Sequence, residues 1–325
     1  PSGLDAAPGD ASDVVAAADR TVTFHTLKLG HLLGSGPDVC GDVRVAGIGL
    51  VGGIPELMLC EDGDAPRPRR RRTVHKWSAG SVAVAGGSPG ISGAPLLCAR
   101  TALAFGAGAV RILCPTGLED RYGAAPEVMT TGIGEGTSFS GADAAAVLKM
   151  AQRFDVLALG PGLGSGCEEF VAGVVTGRRG ALIIDADGLN ALDGTGLLAD
   201  RTGDTIITPH TGEFTRLHGG PPSYQEAGQL ANECGITVLL KGNPTFIAGH
   251  DQTWVVTSGG PELATIGTGD VLCGMAAALW ARGLQPAVAA RSAAHWHGVA
   301  GAAARRSGVT ADRLVGAAAA IAGVA

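Results

Sequence analysis

Short apolar runs recur through residues 82–257, each closed by glycine, proline or a charged residue. Val82–Ala85, Val110–Leu113, Val156–Leu159, Leu182–Asp185, Thr205–Thr208, Thr237–Lys241, Thr245–Ala248 and Trp254–Thr257 have strand length and strand composition. Between the earlier runs, alanine-rich text at Ala94–Phe105 and Ala142–Gln152 predicts helices. This alternation implies an α/β fold, a mostly parallel sheet covered on both faces. The last strands, joined by Gly-Asn-Pro and His-Asp-Gln turns, predict an antiparallel meander at one side. After Asp270 the apolar positions Val271, Leu272, Met275, Ala278 and Leu279 keep helical spacing up to Gly283, a candidate C-cap.

Composition narrows the class. At 325 residues the chain can bury a large core, and 53 glycines with 4% aromatics fit many tight strand–helix turns. A net charge of −6 argues against nucleic-acid binding. Seven scattered cysteines without a C-x-x-C pair fit reduced thiols, not a disulfide framework or a zinc site. No apolar run is long enough to span a membrane, so a soluble cytoplasmic protein is expected. The stretch Ala65–Arg72 (APRPRRRR) reads as an extended linker, dividing residues 1–64 from a domain at 74–325, with the linker at 65–73.

The polar residues that follow the strands carry the candidate chemistry, because ligands of open α/β sheets gather at the carboxyl ends of strands. Gly267-Thr268-Gly269-Asp270 enters a helix and presents free backbone N–H groups to an anion. Asp270 is either a plain helix-capping acid or a base for a nucleophile attacking phosphorus. Gly160–Gly164 is either a tight turn or a bed for a flat ring or phosphate. Asp187 and Asn190 either cap a helix or line the site. His210 caps a helix or binds substrate, and Glu213, three residues on, completes a capping box or holds a Mg²⁺-bound water. Lys241 is a surface lysine or a phosphate partner. His295 and His297 read as structural, and the four tryptophans as packing residues.

Taken in order, Val74-His75-Lys76, Gly86-Gly87-Ser88 with Gly93-Ala94, Gly106-Ala107-Gly108, Pro126–Met129, Gly160–Gly164, Asp185–Asn190, Thr208–Glu213, Lys241–Thr245 and Leu263-Ala264-Thr265 with Gly267–Asp270 resemble one family. It is the ADP-dependent NAD(P)H-hydrate dehydratase family of the ribokinase-like superfamily, and the likeness covers residues 73–320. Pro1–Asp5, Thr21–Phe24, Leu27–Gly30 and Ile48–Leu50 resemble the tail of the NAD(P)H-hydrate epimerase domain fused ahead of that dehydratase in many bacteria.

The resemblance implies a ribokinase-like three-layer sandwich and a repair enzyme. Its substrate is the S form of hydrated NADH or NADPH, and ADP or ATP with Mg²⁺ drives the dehydration. Asp270 is then the base, with Gly267, Thr268 and Gly269 stabilising the transferred phosphoryl group. Ala94, Gly162, Gly164, His210 and Asp270 contact the hydrated cofactor. Lys241, Gly242, Asn243, Pro244, Thr245 and Gly269 contact the nucleotide, and Glu213 is the Mg²⁺-associated acid. Ser2 matches a potassium ligand of the epimerase without its companions, so no epimerase activity is expected of this chain. Two positions depart from the family pattern, Ile91 where an aromatic is common and Thr211 where proline is common. A homo-oligomer is expected, with a tetramer as a candidate size. The alternative function is a ribokinase-like sugar or vitamin-alcohol kinase.

Overall fold

The computed structural model describes all residues except 8, 12, 13, 54, 70, 71, 124, 306, 307, 324 and 325. The chain divides into two compact units, Pro1–Glu56 and Leu57–Ala325. In the first, β1 (Arg20–Phe24) pairs in parallel with β2 (Asp42–Ala46), and the four-residue helix α1 (Gly36–Val39) lies between them in sequence. Val22, Phe24 and Val45 on these strands are exposed.

The second unit is built on ten strands. These are β3 (Leu57–Leu59), β4 (Ser81–Ala85), β5 (Ala109–Pro115), β6 (Met129–Ile133), β7 (Val156–Leu159), β8 (Ala181–Ile184), β9 (Thr205–Ile207), β10 (Thr237–Leu240), β11 (Thr245–Ala248) and β12 (Thr253–Val256). Their order across the sheet is β3-β12-β11-β10-β9-β8-β7-β4-β5-β6. Only β11 runs against the rest: β10–β11 and β11–β12 are antiparallel, and the other described pairs are parallel. Strands β4 and β7 are buried along their whole length, as a sheet covered on both faces requires.

The helices are α2 (Gly93–Ala104), α3 (Ala144–Ala151), α4 (Glu168–Gly177), α5 (Asp187–Asn190), α6 (Gly196–Ala199), α7 (Thr211–His218), α8 (Tyr224–Cys234), α9 (Thr268–Ala281), α10 (Pro286–Ala304) and α11 (Ala311–Ile321). One apolar core joins α2, α9, α10 and α11 to one face of the sheet, through residues such as Val84, Ile112, Met275 and Leu314. Alternate strand residues, among them Leu157, Leu159 and Ile184, are fully buried too and face the opposite layer. All seven cysteines are buried and free. Among the described residues, no helix is long and apolar enough to cross a membrane.

Two features differ from the sequence expectation. The unit boundary falls between Glu56 and Leu57, not at residue 64, because β3 adds to β12 as a parallel edge strand. The meander is therefore followed by one more strand. The start of the expected linker is also packed. Ala65 is buried and its carbonyl accepts the indole N–H of Trp296 at 2.8 Å. The guanidinium of Arg67 stacks on that indole 3.8 Å from its centroid and donates to the Ile321 carbonyl. Arg70 and Arg71 lie outside the described residues. Strand β6 was not anticipated, since Met-Thr-Thr-Gly-Ile is half polar, as suits the half-buried edge it forms.

Candidate active site

The sheet reverses its winding between β4 and β7, where a crevice opens at the strand ends. The chain leaving each strand interlocks with the other: the Gly87 N–H donates to the Pro161 carbonyl at 3.1 Å, and the Gly160 N–H to Ala85 at 3.1 Å. Gly162 has φ +66°, and a Cβ there would lie 2.4 Å from the Ile91 carbonyl and 3.3 Å from the Ala94 methyl. No side chain fits there, so the Gly162 backbone packs directly against Ile91 and Ala94. Gly164 is alongside, its N–H donating to Asp187 Oδ2 at 2.8 Å, while Asn190 donates to the other oxygen at 3.3 Å. Asp187 and Asn190 thus organise the loop.

Across the crevice the exits of β8, β9 and β10 converge on Asp185. This carboxylate is 1% exposed. Its Oδ1 accepts from the Thr208 hydroxyl at 2.7 Å and from Lys241 Nζ at 2.8 Å. Lys241 also stands 3.8 Å from Glu213 Oε2. Burial works against its charge, but Asp185 and Glu213 outweigh burial and hold its pKa above the usual range.

Helix α7 begins at His210. The imidazole Nδ1 accepts the Gly212 and Glu213 N–H groups at 3.0 and 3.2 Å, so the ring proton sits on Nε2. Glu213 Oε2 in turn accepts the His210 N–H at 2.8 Å, completing a capping box. The Glu213 carboxylate is buried and its other oxygen lies 3.5 Å from His210 Nε2. Oε2 is thus engaged within the turn, whereas Oε1 has only this longer approach.

Helix α9 begins at Gly267, whose φ of +89° places it in the left-handed region. A Cβ there would lie 2.8 Å from both Leu97 Cδ1 and Ala311 Cβ. The Thr268 hydroxyl reaches the Leu263 and Thr265 carbonyls at 2.8 Å each, so it ties the loop down instead of facing the crevice. Gly269 lies under Lys241, its missing Cβ position 3.6 Å from Nζ. Asp270 is the third residue of the helix. Burial, then the like charges of Asp185 and Asp187, push its carboxyl up to about 7, against the pull of Lys241.

A cavity of about 320 Å³ opens beside this helix end. Lys241, Gly242, Asn243, Thr245 and Gly269 form part of its wall, and Pro244 is the one residue of the predicted nucleotide loop that does not line it. Gly260, Pro261, Leu263, Ala264, Thr268, Leu272 and His297 line the rest. Ser2, by contrast, is an exposed turn residue of the first unit.

The sequence did not reveal Asp185 as the hub, nor the apolar part of the cavity, nor His297 as part of its wall. Asp185 did carry a signal, an acid at the end of an apolar strand. Nothing in the spacing linked it to Lys241, 56 residues on.

At the carboxyl ends of the strands the structure thus brings together the glycine-rich exits of β4 and β7, the start of α9, the buried Asp185–Lys241 pair and the raised carboxyl of Asp270. Residues 82–320 match the family model described as NAD(P)H-hydrate dehydratase, and the chain belongs to that family. It is 37% identical, over 96% of its length, to the bifunctional NAD(P)H-hydrate repair enzyme of Salinibacter ruber, and spans 61% of that protein. Among solved structures it resembles the ADP/ATP-dependent NAD(P)H-hydrate dehydratase of Bacillus subtilis crystallised with ATP and Mg²⁺. There the TM-score is 0.68 and the identity 26%, covering 82% of this chain and 97% of that one. A ribokinase-like protein of Enterococcus faecalis shares the fold, with a TM-score of 0.72 at 21% identity over 84% of this chain and 98% of that one. The expected ribokinase-like α/β architecture is borne out.

Proposed function

We propose that the chain dehydrates the S form of hydrated NADH or NADPH, with ADP or ATP as phosphoryl donor. The observation that carries this is the Asp270 carboxyl, raised to about 7 at the mouth of α9 beside a cavity walled by Lys241 and Gly269. Asp270 takes the proton of the C6 hydroxyl as that oxygen attacks the terminal phosphorus of the nucleotide. The bond from phosphorus to the bridging oxygen breaks, and AMP leaves from ADP, or ADP from ATP. The C6–O bond then breaks with its electrons on the phosphate, and loss of a C5 proton restores the C5–C6 double bond. Lys241 and the first amides of α9 balance the charge on the phosphoryl group. Ala94, Gly162, Gly164 and the Nε2–H of His210 would hold the hydrated cofactor.

Magnesium is tested by the donor set. Among the described residues, no three His, Cys, Asp or Glu groups gather to hold an ion. The residues fit an ion brought in on nucleotide phosphates, which Glu213, with Oε2 engaged by the His210 N–H, would meet through a bound water. Such an ion supplies charge neutralisation at the phosphates. Residues 1–64 we assign by resemblance to the tail of the epimerase portion of the bifunctional relatives. Assembly of the chain as a homo-oligomer and residence in the cytoplasm remain parts of the proposal.

The test is to supply S-hydrated NADH, Mg²⁺ and either nucleotide. The expected result is recovery of dihydronicotinamide absorbance, with phosphate and the shortened nucleotide released in equal amounts. A stable phosphorylated product without recovery would point to the kinase alternative, and no recovery with either nucleotide would sink the proposal.

A further inference from the structure

The nucleotide cavity contains a histidine that the chemistry above does not use. His297, in the middle of α10, is 7% exposed and is one of the residues lining the cavity. Its Nε2 lies 2.9 Å from the carbonyl oxygen of Thr268. A carbonyl only accepts, so Nε2 carries the ring proton. Burial pushes the pKa of His297 down to about 4, with the Thr268 carbonyl opposing and Lys241 reinforcing that shift. The ring is therefore neutral, and Nδ1 holds a lone pair and no proton.

Among the described residues, the Thr268 carbonyl is the ring's one hydrogen-bond partner. Nδ1 is not sealed in the core either: the buried ring nitrogen without a partner in this helix is Nδ1 of His295. An acceptor on a cavity wall with no protein donor is suited to a ligand N–H.

The cavity has two chemically distinct parts. Lys241, Asn243 and Thr245 supply polar groups near Gly269 and suit phosphates. Leu272 lies one turn further along α9. Leu263 packs on α10 at Gly301, one turn beyond His297, where a glycine Cβ would lie 2.6 Å from Leu263 Cδ2. His297 thus belongs to the apolar part, with Leu263, Ala264 and Leu272, which suits a flat base.

Resting on the nucleotide-driven function above, we propose that His297 selects the base of the phosphoryl donor: its Nδ1 accepts an N–H from the 6-amino group of adenine and turns away purines with a carbonyl there. The apolar neighbours offer no substitute donor, so a base without that N–H leaves Nδ1 unpaired. A 6-carbonyl sets two acceptors against each other.

The test compares binding of ADP, purine-riboside diphosphate and inosine diphosphate by titration calorimetry on the intact chain. ADP should bind roughly tenfold more tightly than purine-riboside diphosphate, and inosine diphosphate should bind no better than the latter. In His297→Phe the ADP preference should shrink to within about twofold. His297→Gln, which keeps a donor for Thr268 and an acceptor for the base, should recover part of it. Equal affinities on the unaltered chain would overturn the proposal, and so would a full ADP preference in a folded His297→Phe variant. If none of the three nucleotides binds, the nucleotide-driven function falls, and this inference with it. Binding without discrimination strikes His297 alone.

Discussion

Helices α7 and α9 both begin at the carboxyl end of the sheet, and each carries an acid as its third residue, Glu213 and Asp270. Their surroundings give them opposite chemistry. In α7 the N-cap is a histidine, and Glu213 closes back on the His210 N–H at 2.8 Å. In α9 the N-cap is a glycine with no side chain to share, and among the described residues nothing donates a hydrogen bond to Asp270. One acid holds its own helix end together. The other is desolvated beside two carboxylates, with its proton held up to about 7. An acid at a helix start is therefore informative only when its cap is known: the capped one stabilises, and the uncapped one is free to take a proton.

The largest effect expected from breaking this contrast is at Asp270. Asp270→Asn should lower the single-turnover rate by about 10³-fold while leaving ADP affinity within a few-fold, as a general base requires. Next comes Lys241→Met, which leaves Asp185 buried without its ammonium partner. We expect about 3 kcal/mol of lost stability in urea unfolding, together with weaker ADP binding.

A smaller effect concerns stability and pH. The folded carboxyl of Asp270 keeps its proton to about 7, whereas the unfolded one releases it near the ordinary aspartate value of 3.8. Between those values the folded state binds more protons. The contribution of Asp270 is thus favourable at low pH and is lost as pH rises through 7. Asp270→Asn should accordingly be more stable than the unaltered protein at pH 8, by about 2 kcal/mol, and no more stable at pH 4. Thermal unfolding at the two pH values checks this. Least of all, Glu213→Ala should cost about 1 kcal/mol of stability through the lost cap, with turnover reduced only a few-fold. A loss as deep as that of Asp270→Asn would erase the contrast between the two helices.

Much of this was legible in the sequence because the punctuation is local. Apolar runs ending in Gly-Gly-Ser, Gly-Pro-Gly or Lys-Gly-Asn-Pro mark strand exits, and β7 and β11 occur at the expected residues. What escaped was non-local or atypical. Strand β3 is three residues long and precedes an arginine-rich stretch, so its pairing with β12 has no local sign. The pairing of Lys241 with Asp185 is made by neighbouring strands, not by spacing. The reading of Thr268 rests on its amide, and nothing local shows that its hydroxyl ties down its own loop. His297 looked like filling because an alanine-rich helix surrounds it. Its role depends on a carbonyl contributed by another helix.

The most direct test of the central claim, that the uncapped acid and not the capped one is the base, is the pH dependence of kcat/KM for S-hydrated NADH with saturating ADP. The unaltered protein and Glu213→Gln should both lose activity as pH falls through about 7, where Asp270 takes up its proton. Asp270→Asn should retain only a residual rate without that limb. A limb that persists in Asp270→Asn, or that disappears in Glu213→Gln, would contradict the account.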